Sequence, residues 1–152
     1  MTIDEILFPA DVNLGLRAGD KSAALEEILG QVRGDARVGN WERLRAAVVE
    51  RDAPAIDAGG CGICIAHGRT DAVTELVVAA GRSEAGVVFP GSEAPVRLIF
   101  VAGIPSAMNS EYLRLVGAIA RVCCDPGRLR ELLEAEDGEA FVECLTAATE
   151  RL

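Results

Sequence analysis

The chain has 152 residues, half of them apolar but only 4% aromatic, so a single domain with an aliphatic core is expected and extensive disorder is excluded. A formal charge of −9 with no basic run excludes a broad cationic face for nucleic acid or anionic membrane. No apolar stretch is long enough to span a bilayer and no signal peptide is visible, so five cysteines in such a chain point to reduced thiols and a cytoplasmic location.

The spacing predicts a short helix over Ile3 to Leu7, then a half-buried strand at 11–16 (DVNLGL), where polar and apolar residues alternate. Asp20 is placed to cap a helix from Lys21, in which Leu25, Ile28, Leu29 and Val32 form one apolar stripe. Residues 34–40 read as a loop, and a second helix covers Trp41 to Arg51 with Leu44, Ala47 and Val48 facing inward. Pro54 and Gly59-Gly60 oppose regular structure; a brief apolar strand (ICIA, 63–66) then ends at His67. Three more segments have the length of strands: ELVVAA (75–80), GVVF (86–89) and VRLIFVA (96–102). The last is apolar enough to be central and buried on both faces. Asn109 or Ser110 is placed to cap a long helix to Cys124, whose apolar residues surround most of its circumference. Asp125-Pro126 marks the start of a short helix bearing Leu129, Leu132 and Leu133. The final helix carries Phe141, Cys144, Leu145 and Ala148 on one face. Strands interleaved with helices, without repeat or linker, make residues 1–152 one α/β domain.

His67 is the only histidine, at the junction of a strand with Gly68. A strand end beside glycine holds an imidazole while leaving one ring nitrogen accessible. Nucleophilic catalysis needs that nitrogen unprotonated and the other held by a hydrogen-bond acceptor. A phosphoryl electrophile also needs cations to neutralise its oxygens, and Arg51 and Arg69 are the candidates. On composition alone, a lone histidine in this setting is more often structural or solvated.

A wider pattern changes that balance. Arg51-Asp52, followed by Gly60-Cys61-Gly62-Ile63-Cys64-Ile65-Ala66-His67-Gly68-Arg69, resembles the active-site signature of the fructose/mannitol-type enzyme IIA family of the phosphoenolpyruvate-dependent sugar phosphotransferase system. That family includes nitrogen-regulatory members. The resemblance runs in family order through Lys21, the stretch from Phe89 to Pro95, VRLIFVAGIP and the helix at Tyr112, covering residues 3–148. It implies a three-layer α/β sandwich, with a mixed sheet of about five strands and helices on both faces. It implies that His67 takes a phosphoryl group from the phosphocarrier HPr and passes it to a cysteine of an enzyme IIB domain or uses it in regulation. Arg51 matches the arginine beside the phosphohistidine, and Arg69 a basic position of the signature. Gly60 and Gly62 match glycines that let the loop approach the site closely. No metal or organic cofactor is implied, because the electrophile arrives on a protein.

Four positions depart from the family pattern. Ala66 replaces a proline, Asp52 a glutamate, Asp57 a loop threonine, and Tyr112 a second histidine at the start of a helix. Tyr112 can donate a hydrogen bond to a phosphoryl oxygen but carries no positive charge near neutral pH. Asp57 has two readings. A carboxylate about 6 Å from a phosphoryl charge opposes it by roughly 3 kcal/mol at an effective dielectric of about 20; alternatively, it accepts the His67 N–H or pairs with Arg51 or Arg69. These departures give the relay reading a rival: a non-catalytic module that keeps the fold and signals by docking to a regulatory target protein. A zinc reading of Cys61, Cys64 and His67 fails on geometry, because residues three apart on a strand point to opposite faces. The sequence carries no signal for the sugar or for the oligomeric state.

Overall fold

In the computed structural model, residues 1–149 are described; residues 150–152 lie outside the described part. Five strands form a mixed sheet: β1 (Val12–Asn13), β2 (Ile56–Ala58), β3 (Cys61–Arg69), β4 (Val77–Val87) and β5 (Val96–Ile104). Their spatial order is β1-β4-β5-β3-β2. β5 runs antiparallel to β4 and parallel to β3, and eight of its nine residues are buried, as its composition predicts.

Helices cover both faces. α1 (Lys21–Gly30) and α2 (Trp41–Val49) bury Leu25, Ile28, Leu29, Leu44 and Val48 against one side, together with Cys64, Ala66, Ile99 and Val101. α3 (Asn109–Cys123), α4 (Pro126–Glu134) and α5 (Gly138–Ala148) cover the other, packing around Phe100, Leu98, Phe141 and Leu145. Asp20 and Asp125 cap their helices as their side-chain chemistry predicts, accepting from the amides of Ala23 and of Gly127 and Arg128. Among the described residues no helix is long and apolar enough to cross a membrane.

Several expectations need correction. The strand at 11–16 shrinks to two residues, because the side chain of Asn13 accepts from the Gly15 amide and Glu27 takes the amides of Arg17 and Ala18, turning the chain toward α1. GVVF is no separate strand; Val87 closes β4 across an irregular stretch that starts at Arg82. In place of a loop, Gly59 and Gly60 form the two-residue turn of the β2–β3 hairpin, with φ of +67° and +94°. Both dihedrals lie in the region that a tight hairpin requires and glycine adopts without strain. The first helix is a single 3-10 turn, Ile3–Glu5. α3 begins at Asn109 without a side-chain cap, and it buries one face only: Leu115, Ala118, Ile119 and Val122 are inside while Leu113 is 61% exposed. α2 stops at Val49, so Arg51 sits in the turn beyond the helix.

Candidate functional site

His67 lies inside β3 rather than at its end, opposite Ala102 of β5. Strand alternation decides which way the ring points. Cys64 and Ala66 belong to the core under α1 and α2, whereas Ile63 and Ile65 face the α3 layer, and His67 follows them to that side. β2 pairs only with Cys61 to Ile63, so among the described residues no strand borders β3 on its β2 side from Cys64 onward. The imidazole is therefore half-buried at an open edge of the sheet. The regular β3–β5 ladder from Ile63 to Arg69 sets the backbone through Ala66, where the family pattern has a proline.

Helix α3 brings Tyr112 over the ring. Its hydroxyl stands 3.0 Å from Nδ1 and 3.1 Å from Nε2, with the two rings 4.7 Å apart between centroids and tilted by 39°. A single hydroxyl at nearly equal reach of both nitrogens can accept from the N–H or donate to the lone pair, whichever tautomer is present. Burial, and then the charges of Arg51 and Arg69, hold the imidazole pKa below its ordinary value of 6.5. The ring is thus neutral near pH 7, with a lone pair available for attack. Burial raises the Tyr112 pKa, with the same two guanidiniums acting in the opposite sense.

The two arginines reach the site by different routes. Arg69, two residues beyond His67, donates Nη2 to the carboxamide of Asn109, the first residue of α3. Asn109, with Ser110 one of two cap candidates, caps nothing; its bond to Arg69 joins residues 40 positions apart and has no local signature. Arg51 is exposed and makes no ion pair among the described residues. Its neighbour Asp52 is anchored instead: the Lys21 ammonium lies 2.6 Å from the Asp52 carboxylate and donates to the Ala53 carbonyl at 2.7 Å. That contact ties the segment after α2 to the start of α1.

Asp57, Gly60 and Gly62 stand elsewhere. The Asp57 carboxylate accepts the Gly60 amide at 2.7 Å, and Asp57 pairs across the hairpin with Gly62. Five residues of extended strand put Gly62 about 16 Å from His67. Neither reading of Asp57 survives this placement: it is too far to oppose a phosphoryl group or to hold the imidazole. Gly60 shapes the turn. A Cβ on Gly62 would lie 2.8 Å from the Pro95 carbonyl oxygen, so that glycine admits the approach of β5, not of a loop to the site. Cys64 is sealed in the α1/α2 core while Cys61 packs toward the opposite layer, as strand alternation requires.

The site thus combines a neutral imidazole, a phenol hydroxyl and two guanidiniums at an accessible sheet edge, a set suited to receiving a compact anion. The family model described as "Phosphoenolpyruvate-dependent sugar phosphotransferase system, EIIA 2" matches residues 5–148. Over 131 residues the chain is 30% identical to the PTS system fructose-specific EIIA component of Haloferax volcanii, covering 86% of this chain and 85% of that protein. The crystal structure of nitrogen regulatory protein IIA-Ntr from Neisseria meningitidis has the same fold, with a TM-score of 0.82 at 23% identity over 95% of this chain and 99% of that one. So does the complex of enzyme IIAMTL with phosphorylated enzyme IIBMTL from Escherichia coli, with a TM-score of 0.74 at 18% identity over 91% of this chain and 95% of that one. With its model matching nearly the whole length, the chain belongs to the EIIA type 2 family of the phosphoenolpyruvate-dependent sugar phosphotransferase system.

Proposed function

We propose that this protein is a cytoplasmic phosphoryl carrier of one domain, with His67 as the residue that is phosphorylated. The unprotonated ring nitrogen attacks the phosphorus of a phosphohistidine on an HPr-like phosphocarrier; the new N–P bond forms as the donor's breaks, and the donor imidazole leaves. Arg51 and Arg69 neutralise charge on the transferring oxygens. Tyr112 hydrogen-bonds the ring from α3. The group then passes to the thiolate of an IIB domain, or stays as a regulatory mark. A IIA relative has been solved with a phosphorylated IIB, which supports the choice of second partner.

The observation that carries the reading is the half-buried imidazole, kept neutral by burial and two cations, at an open strand edge. A rival reading rests on Tyr112, whose hydroxyl is within hydrogen-bond reach of both ring nitrogens. If that contact blocks attack, the protein is a docking module that acts without phosphotransfer. Incubation with phosphorylated phosphocarrier separates the two. The relay predicts acid-labile phosphate on the wild type and none on His67→Ala. Absence of label from both the wild type and Tyr112→His supports the docking module.

A further inference from the structure

At the other end of β3 a cavity of 720 Å³ opens between the β2–β3 turn and helices α3 and α4. Its β3 residue, Cys61, is six positions before His67, about 20 Å along the strand. The volume is that of a small-molecule site. Leu129, Leu133 and Pro126 of α4 supply an apolar wall.

Two arginines also line it, Arg97 and Arg130. Arg97 is delivered by a β-bulge. Gly62 pairs with Val96 and Ile63 with Leu98, so Arg97 has no partner on β3, and the β4 ladder passes it over as well. Val96 is buried under α1 and α2 while Leu98 faces α3 and α4, so the extra residue switches the faces of β5 at this point. Bulges of this kind re-aim a side chain at the expense of ladder hydrogen bonds.

The lining holds two arginines and two carboxylates, Asp57 and Glu134. Neither Arg97 nor Arg130 makes an ion pair among the described residues; the Arg97 Nε donates only a long bond, 3.4 Å, to the Ser83 carbonyl. Beside Arg97, Arg82 donates to the carbonyls of Leu132 and Ala135 at 2.9 Å each. Burial and the Arg97 charge lower the Arg82 pKa, and Glu84 opposes them as the smallest of the three causes. Of the acids at the cavity, Asp57 accepts the Gly60 amide and Glu134 stands at the end of α4, and neither makes an ion pair with Arg97 or Arg130 among the described residues. Burial pushes the thiols of Cys61 and Cys123 up, the latter to about 12, so both line the cavity as neutral, soft surface.

We propose that this cavity binds a small organic anion, its charged group held by Arg97 and Arg130 and its apolar body against Leu129, Leu133 and Pro126. The proposal is independent of what His67 does. Its test is titration of ¹⁵N-labelled protein with phenyl phosphate, benzoate and benzyl alcohol, followed by amide shifts. Saturable shifts at Cys61, Arg97, Cys124 and Arg130 are expected with at least one anion, and the stronger of the two identifies a phosphate monoester or a carboxylate. Benzyl alcohol should bind at least about tenfold more weakly, and Arg130→Gln should weaken the anion by about tenfold. Arg130 is exposed, so its substitution leaves the fold intact; Arg97→Gln should act likewise, with Arg97→Lys restoring part of the affinity. The idea is overturned if neither anion shifts these amides, if shifts appear only at His67 and Arg51, if benzyl alcohol binds equally well, or if Arg130→Gln changes nothing.

Discussion

At the scale of the residue, the chemistry depends on keeping one imidazole uncharged and placing cations around it. Arg51 lowers the His67 pKa, and in the relay proposed above it also neutralises charge on the transferring phosphoryl group. Arg51→Gln should therefore slow phosphoryl acceptance by about 10²- to 10³-fold, the usual cost of losing one transition-state donor. The His67 ring should at the same time titrate closer to its ordinary value. Rapid-quench transfer from phosphorylated phosphocarrier gives the first quantity, and the histidine proton shifts against pH the second. A pKa that moves while the rate stays the same would assign Arg51 a purely local electrostatic effect and remove it from the mechanism.

Among the elements, α2 and β3 are coupled most directly. A Cβ on Gly68 would fall 2.8 Å from the Ala47 carbonyl carbon and from the Val48 amide nitrogen, backbone atoms that cannot rotate away. Gly68→Ala should push α2 outward, destabilise the protein by about 1–3 kcal/mol as overpacked cores do, and displace Arg51 from His67. Gly30, at the last position of α1 with open space around it, is the control: Gly30→Ala should be neutral or slightly stabilising. Urea midpoints for the two variants make the comparison. The long amphipathic elements were legible from sequence because periodicity reports on them directly; α1, α4, α5 and β5 fall where their apolar spacing puts them. β2 was not, because three residues with an exposed Ile56 carry no alternation to read, and its pairing depends on the Gly59-Gly60 turn. The site divides the same way. His67 stands out as a unique residue and Arg51 through the family pattern, but the contact of Tyr112 with the ring and the Arg69–Asn109 bond are products of how α3 docks on β3. Asp57 is drawn to the site only by matching the loop threonine of the family pattern, whereas the hairpin carries it to the far end of the strand.

For the whole molecule, the same pKa shifts set the acid limit of stability. His67 binds a proton less readily folded than unfolded, so its contribution is complete above about pH 6.5 and is lost as pH falls through that value and below. Asp35, hydrogen-bonded to Arg37, has a lowered pKa and adds stability that persists until pH falls below about 4. Asp11, raised chiefly by burial, works in the opposite sense and at higher pH, costing stability as pH rises above about 4. Denaturant titrations should thus show wild-type stability declining as pH falls below about 6.5, with His67→Gln flatter over the same fall. Parallel curves throughout would mean that the ring is as protonatable in the folded state as in the unfolded chain. A last consequence follows from the shortness of β2, which leaves β3 from Cys64 to Arg69 bonded to one neighbour alone. In a strand bordered on a single side, every second amide proton points away from the ladder. In heavy water these protons should exchange in alternation, fast and slow by turns along the strand, and a protein seated over the imidazole should slow the fast set while leaving the slow set unchanged.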